Sequence, residues 1–359
     1  MAGAAVSAAQ PLPGARFSAV GSATRTLLAF GLASAVAAAG CGESDDAGRD
    51  DRAAAESTVS DTGAPTSSGF QALAEGLPPG AMGMSLLGEP LFPAGMPDSV
   101  RETRVAKLDQ ALAALQNAPY DADSMIWVGR RLAYLERYAA AIEAFTVGLA
   151  RHPEDARFYR HRGHRFITTR QLDRAIADLE RAAELISGRP DEIEPDGLPN
   201  ARGIPTGTLQ SNIWYHLGLA RYLEGDFEGA LAAYRKCMAV SGNPDMLVAT
   251  SHWLYMTLRR LGRDDEAAAI LQPITPDLDV IENDSYHQLL LMYRGLVEAD
   301  ALWSGAEDDL TSSTIGYGVA NWHLYNDRTD QALDAFRRIT SGSQWAAFGY
   351  IAAEAELAR

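Results

Sequence analysis

Three stretches of this 359-residue chain carry side chains that could do chemistry. "YRHRGHRF" sets His161 and His164 three residues apart. On a helix that spacing turns two imidazoles toward nearly the same side, as half of a metal site would require. Zinc needs at least three protein ligands. No third ligand presents itself, so a surface or groove role is the simpler reading and no metal is expected. "DEIEPDG" gathers Asp191, Glu192, Glu194 and Asp196, but their order does not follow a calcium-binding loop. The two cysteines, Cys41 and Cys237, are too few for a disulfide framework. Neither a G-x-S-x-G nucleophile elbow nor a phosphate-binding loop occurs. No catalytic residue and no cofactor is therefore expected.

The elements that must position these residues repeat themselves. "YLERYAAAIEAF" at 134–145 returns 34 residues later as "TTRQLDRAIADL" at 168–179. Three more windows follow: "LEGDFEGALAAY" at 223–234, "RLGRDDEAAAIL" at 260–271 and "YNDRTDQALDAF" at 325–336. Each holds a small alanine at one slot (Ala141, Ala175, Ala230, Ala267, Ala332). Each has a large apolar residue four further on (Phe145, Leu179, Tyr234, Leu271, Phe336). Upstream, Gly129, Gly163, Gly218 and Tyr255 share one crowded slot. The spacing predicts a helix, a short turn and a second helix, with the alanine allowing close approach. One such hairpin cannot bury its stripe alone, whereas stacked copies can.

This pattern resembles the tetratricopeptide repeat. The first copy matches at Gly129, Tyr138, Ala141, Phe145 and Pro153. The second matches at Tyr159, Gly163, Phe166, Ala175 and Ala182, and the third at Trp214, Leu217, Gly218, Phe227, Ala230 and Tyr234. The fourth and last copies carry fewer matches. "SYHQLLLMYRGLVEADALW" reads as a degenerate repeat between them, and "SQWAAFGYIAAEAELAR" as one further helix. The resemblance covers about two-thirds of the chain. It implies an all-α superhelical solenoid of about five hairpins over 121–359, closed by a terminal capping helix.

In that family the first helices line a concave surface. Here the corresponding positions are Arg130, Tyr134, Arg157, Arg160, His164, Asn212, Tyr215, Tyr222, His252, Met256 and Arg259. Guanidinium forks and phenols suit an acidic segment or a carboxylate terminus. The Lys and Asn of the family's carboxylate clamp are not in their usual places, so only the electrostatic argument carries over. Cys237, Trp214 and Trp253 fall on apolar helical faces and read as core.

The windows at Thr168 and Leu223 stand 55 apart, about 21 more than the preceding step. The excess is an insert at about 187–210, where Pro190, Pro195, Pro199 and Pro205 exclude a continuous helix. Loops of that length are often functional. Residues 70–120 include "RETRVAKLDQALAALQN", a helix with Val105, Leu108, Leu112 and Leu115 along one side that would cap the first repeat. Before it, "MSLLGEPLFPAG" is apolar but broken by proline and glycine, and would lie extended on the array.

The N-terminus reads as an address. Arg16 and Arg25 precede the apolar run "TLLAFGLASAVAAAGC", and no acid occurs before Glu43, as in a secretory signal over 1–40. "AAGC" resembles the lipobox of bacterial lipoproteins, with Ala38 where leucine is usual. That resemblance implies lipid on Cys41. Residues 41–69 are small, polar and acidic, the composition of a flexible tether. The formal charge of −16, from 31 basic against 47 acidic residues, argues against nucleic acid as a partner.

Together these features lead to a lipid-anchored protein of the bacterial cell envelope, its folded part in the periplasm. It would bind a protein or peptide partner through a concave groove, without catalysis. The alternative is an enzyme or small-molecule-binding subunit whose pocket the 187–210 loop covers. An open groove would favour the first reading, and a closed pocket with convergent acids and bases the second.

Overall fold

The repeated windows fold as helical hairpins in the computed structural model, which describes residues 77–304 and 309–359. The leader, Cys41 and the tether lie outside the described residues. In chain order the helices are α1 (Asp98–Asn117), α2 (Ala122–Tyr134), α3 (Tyr138–Arg151), α4 (Ala156–Thr168), α5 (Leu172–Leu185), α6 (Leu209–Glu224) and α7 (Phe227–Val240). They continue with α8 (Pro244–Arg260), α9 (Asp264–Ile270), α10 (Asp284–Tyr293), α11 (Ala299–Ser304), α12 (Asp309–Leu324), α13 (Thr329–Thr340) and α14 (Phe348–Ala358). A short antiparallel pair, β1 (Gly83–Met84) and β2 (Pro90–Leu91), precedes them. The architecture is an all-α solenoid of helix-turn-helix units. Among the described residues no helix is long and apolar enough to cross a membrane.

The third residue of every repeated window turns the chain. Glu136, Arg170, Gly225, Gly262 and Asp327 all adopt a left-handed φ, between 59° and 87°. The next residue's N–H reaches back five positions to a helix carbonyl, as Arg137 does to Leu132 (3.0 Å) and Asp226 to Arg221 (2.9 Å). This Schellman-type closure satisfies carbonyls that the helix end leaves open. The degenerate segment makes the same turn at Gly295, with Leu296 N–H on Leu291 O at 3.0 Å. It is a sixth, shorter hairpin, α10–α11.

Behind the turns, the shared slots are the core. The five alanines are fully buried, and Phe145, Leu179, Tyr234 and Phe336 are within one per cent of it. Each glycine of the crowded slot faces the large residue of its own hairpin: Gly129 meets Phe145, Gly163 meets Leu179, and Gly218 meets Tyr234. A Cβ on Gly218 would lie 2.7 Å from the Tyr234 ring, which is wholly buried and has no room to retreat. Gly218→Ala should therefore cost about 1–3 kcal/mol by overpacking. Urea denaturation checks this, and a loss below about 0.5 kcal/mol would show that the ring moves aside.

The helix α1 docks on the first hairpin through Leu108 and Ala111, against Val128 and Leu135. Leu112, expected on that stripe, is instead 40% exposed. The helical period carries the buried side from 108 through 111 to 115, so Ala111 takes its place.

The array curls until its end meets its beginning. As expected of a cap, α14 packs on α12 and α13, but it also reaches α6. Glu354 of α14 forms a two-pronged ion pair with Arg170, both bonds 2.9 Å, and accepts from Leu86 N–H at 3.3 Å. Trp345 packs edge-on against Tyr138 and donates its indole N–H to Phe92 O at 2.5 Å. Arg359 donates to the carbonyls of Tyr222 and Leu223, both at 2.8 Å. Much of the inner face of α6 and α8 thus meets the chain's own C-terminal helices.

Candidate functional site

The insert after α5 closes on itself at its base. Ile193 and Thr208 form a bridge, with Glu194 N–H on Gly207 O (3.1 Å) and Leu209 N–H on Glu192 O (2.8 Å). Thr208 then caps α6 in a reciprocal box with Ser211. Between those ends the insert runs as a strap. On one side Pro195 O accepts from Arg130 (2.8 Å) and Gly197 O from Arg131 (2.7 Å). Gly197 lies so close to the Tyr134 hydroxyl that a Cβ would overlap it. On the other side Asn200 and Thr206 donate to Glu282 at 2.7 and 2.8 Å, and Arg202 pairs with Asp279 at 2.7 Å.

The far anchor is itself held from below. The carboxylate of Asp245, 1% exposed, accepts the backbone N–H groups of Ile281 (3.0 Å), Glu282 (2.7 Å) and Asn283 (3.1 Å). Three such bonds fix the turn that carries Glu282.

Beneath the strap lies a cavity of two joined chambers. The inner one, about 120 Å³, sits between α2 and α4 and is lined by Arg130, Tyr134, Phe145, Arg160, His161, His164, Arg165 and Glu194. The outer one, about 370 Å³, shares Arg130, Tyr134, Arg160, His164 and Glu194. To these it adds Asp196, Asn212, Tyr215, His216, Glu282, Tyr286 and Phe348. Its walls therefore come from α2, α4, α6, α8, α10 and the turn before it, the insert and the first residue of α14.

The electrostatics are uneven. Arg160 contacts Glu194 at 2.9 Å, with both side chains about nine-tenths buried. Arg130 lies over the Trp127 ring and is tied to Pro195 O. Among the described residues no carboxylate pairs with Arg165, and burial pulls its guanidinium down to about 10. Burial, and then the neighbouring arginines, hold His161 and His164 well below the usual imidazole range. His216 is lowered likewise, although its contact with Asn212 O opposes the shift. These imidazoles are neutral. Asp196 is raised by burial and by the nearby Glu282.

Of the sequence-predicted residues, Arg130, Tyr134, Arg160, His164, Asn212 and Tyr215 converge on this cavity. The others lie outside its lining. Arg157, at the first turn of α4, is held by Asp155 and Asp123. Tyr222 is fully buried, its hydroxyl accepting from Tyr317 and Asn321, both at 2.9 Å. His252 is stacked on Tyr286 and Tyr293, and Met256 is core. Arg259 is drawn to Asp264 and Tyr325. An open groove is thus replaced over α6 and α8 by contacts with α12 and α14.

Sequence reasoning missed Arg165, His216, Glu282, Tyr286 and Phe348 as lining residues. The first two had a signal: Arg165 is four beyond His161, and His216 four beyond Asn212, on the same helical sides. Cys237 is core as expected. Its Sγ lies 3.2 Å from Thr250 Oγ1, and burial pushes the thiol up to about 11. Trp253 is buried, whereas Trp214 is partly exposed beneath Lys236.

Residues 211–244, spanning α6 and α7, match the tetratricopeptide repeat. No curated protein matches the chain. Among solved structures, YrrB, "a TPR protein with an unusual peptide-binding site", aligns at 14% identity with a TM-score of 0.38, over 65% of this chain and 92% of its own. MamA AMB-1 aligns at 16% identity and TM-score 0.35, over 49% and 93%. The Naa15/Naa10 complex bound to HypK-THB aligns at 15% identity and TM-score 0.31, over 68% of this chain and 36% of its own. The chain therefore carries a tetratricopeptide repeat at 211–244, set within an all-α array of helical hairpins.

Proposed function

We propose that this chain is a non-catalytic protein-interaction scaffold of the bacterial cell envelope, lipid-anchored through Cys41 with its folded part in the periplasm. Its partner presents an acidic segment or a carboxylate end to the cavity under the insert, instead of lying along an open groove. The observation that supports this is the convergence of Arg130, Arg160 and Arg165 on one cavity that the chain's own packing leaves open. Guanidinium forks recognise carboxylates in a two-pronged geometry.

The test is crosslinking and capture from envelope fractions with the full chain and two variants. Arg165→Ala should lose the partner while keeping wild-type helicity, because no carboxylate is left unpaired by its removal. Arg157→Ala, outside the cavity, should retain it. Equal capture by all three would overturn the cavity as the contact. Separately, Cys41→Ala should move the protein from membrane to soluble fractions, and unchanged sedimentation would remove the lipid anchor.

A second reading, a subunit that binds a small molecule, is favoured by the size of the outer chamber. The strap and Phe348 wall a space near the lower end of ligand pockets, which run about 300–1,000 Å³.

A further inference from the structure

The inner chamber brings together three guanidiniums, Arg130, Arg160 and Arg165, and one carboxylate, Glu194. With the surrounding imidazoles neutral, that leaves an excess of two positive charges in a largely buried space. Unpaired charge is expensive to bury, and an anionic group seated there would offset the excess. The outer chamber has the opposite character. It adds two carboxylates, Asp196 and Glu282, and no further cation.

An unfilled hydrogen bond marks the outer chamber. Asp196 Oδ2 is buried with no hydrogen-bond partner, whereas Arg160 Nε and Glu194 Oε2 face each other at 2.9 Å. Buried polar atoms in native proteins are overwhelmingly paired, so an unpaired carboxylate oxygen at a cavity calls for a missing donor. The aromatic rings of Tyr215, Tyr286 and Phe348 complete the outer wall.

We propose that the cavity binds a free α-amino acid, its carboxylate in the inner chamber on Arg165 and Arg160, its ammonium on Asp196 and Glu282, and its side chain against the outer aromatic rings. This goes beyond the interaction scaffold by giving the chain a small-molecule site. It rests on the second reading of the cavity and not on the first. A peptide's C-terminal residue supplies the carboxylate but has no ammonium for the acidic wall. The inner chamber, about 120 Å³, is the smaller of the two and has room for a carboxylate.

The experiment is calorimetric titration and thermal denaturation of the full chain with the common α-amino acids, their N-acetyl forms and their carboxamides, at up to millimolar concentration. At least one free amino acid should bind, while its N-acetyl and carboxamide forms bind at least about tenfold more weakly. Asp196→Asn removes charge from an atom with no partner in the fold, so it should weaken the free amino acid about tenfold without lowering the melting temperature. Arg165→Ala should abolish binding. Equal binding of free and N-acetylated forms would overturn the zwitterion and leave a carboxylate-end reading standing. Absence of binding by every free amino acid would overturn the proposal outright. Partner capture that depends on Arg165 would still stand after either outcome.

Discussion

Replacing Arg170 by alanine will lower stability by about 3–5 kcal/mol, the range for stranding one partner of a buried ion pair. The side chains of Arg170 and Glu354 are 2% and 1% exposed. The guanidinium also donates to Thr168 O (2.5 Å) and Trp345 O (2.6 Å), and lies over the Trp345 ring. Without it Glu354 keeps a buried charge whose remaining donor is Leu86 N–H at 3.3 Å. The backbone contribution cancels, because alanine inherits the left-handed φ of 61° that arginine already bears. At this chain length the loss corresponds to a fall of roughly 10 °C in melting temperature. The double change Arg170→Met with Glu354→Leu should recover much of it, since an apolar pair leaves no charge behind. A single variant within about 1 kcal/mol of wild type would show that water reaches Glu354 and that the closure of the array does not depend on this pair.

The same residue shows what the sequence could and could not disclose. The hairpins were legible because each one buries the same alanine and the same large residue, and a slot that repeats is a slot that packs. The short turn inside each window was legible too, but its left-handed residue was not, since only Gly225 and Gly262 carry the expected glycine. Arg170 keeps a left-handed backbone that costs an L-residue about 1–2 kcal/mol, because its side chain is needed 184 positions away in the chain. Closure of the array also explains the misplaced groove residues. Tyr222 and His252 do sit on the inner sides of first helices, but Tyr222 meets Tyr317 and Asn321 of α12, and His252 meets tyrosines of α10. Nothing within four residues of either announces those partners. Arg157 was lost to local chemistry: its neighbour Asp155 caps α4 and captures the guanidinium. Six residues of the cavity were readable from helical spacing. Glu282 and Phe348 were not, because the insert and the C-terminal helix bring them in from distant parts of the chain.

Acid should unfold this protein in a window set by its buried imidazoles. His161, His216 and His252 are 6%, 4% and 1% exposed. Burial is the leading cause of depression in each, taking His252 to about 3, and Arg160 adds to it at His161 and His216. Unfolded, each returns to about 6.5. A folded value below the unfolded one means that, under pH 6.5, the unfolded chain takes up protons the native state refuses. Stability therefore holds above about pH 7 and falls as pH drops below 6.5, by about 1.4 kcal/mol per unit for His252, with His161 and His216 adding in the same direction. His164, held down in the same way, adds to the fall. At pH 5 the loss from His252 alone is roughly 2 kcal/mol, a sizeable share of the about 5–15 kcal/mol that holds an ordinary domain. The raised Asp178 carboxyl works in the other direction, but burial lifts it from 3.8, so most of its effect falls at lower pH. The melting temperature should be flat from pH 8 to 7 and fall toward pH 5, and His252→Gln should make that fall shallower. A melting temperature unchanged between pH 7 and 5 would mean that these rings protonate without leaving the fold. An anion seated among Arg130, Arg160 and Arg165 would offset the charges that depress His161. A chain saturated with a carboxylate ligand should therefore resist acid better than the free chain by more than its binding energy at pH 7, and the two pH profiles should diverge as acid is added.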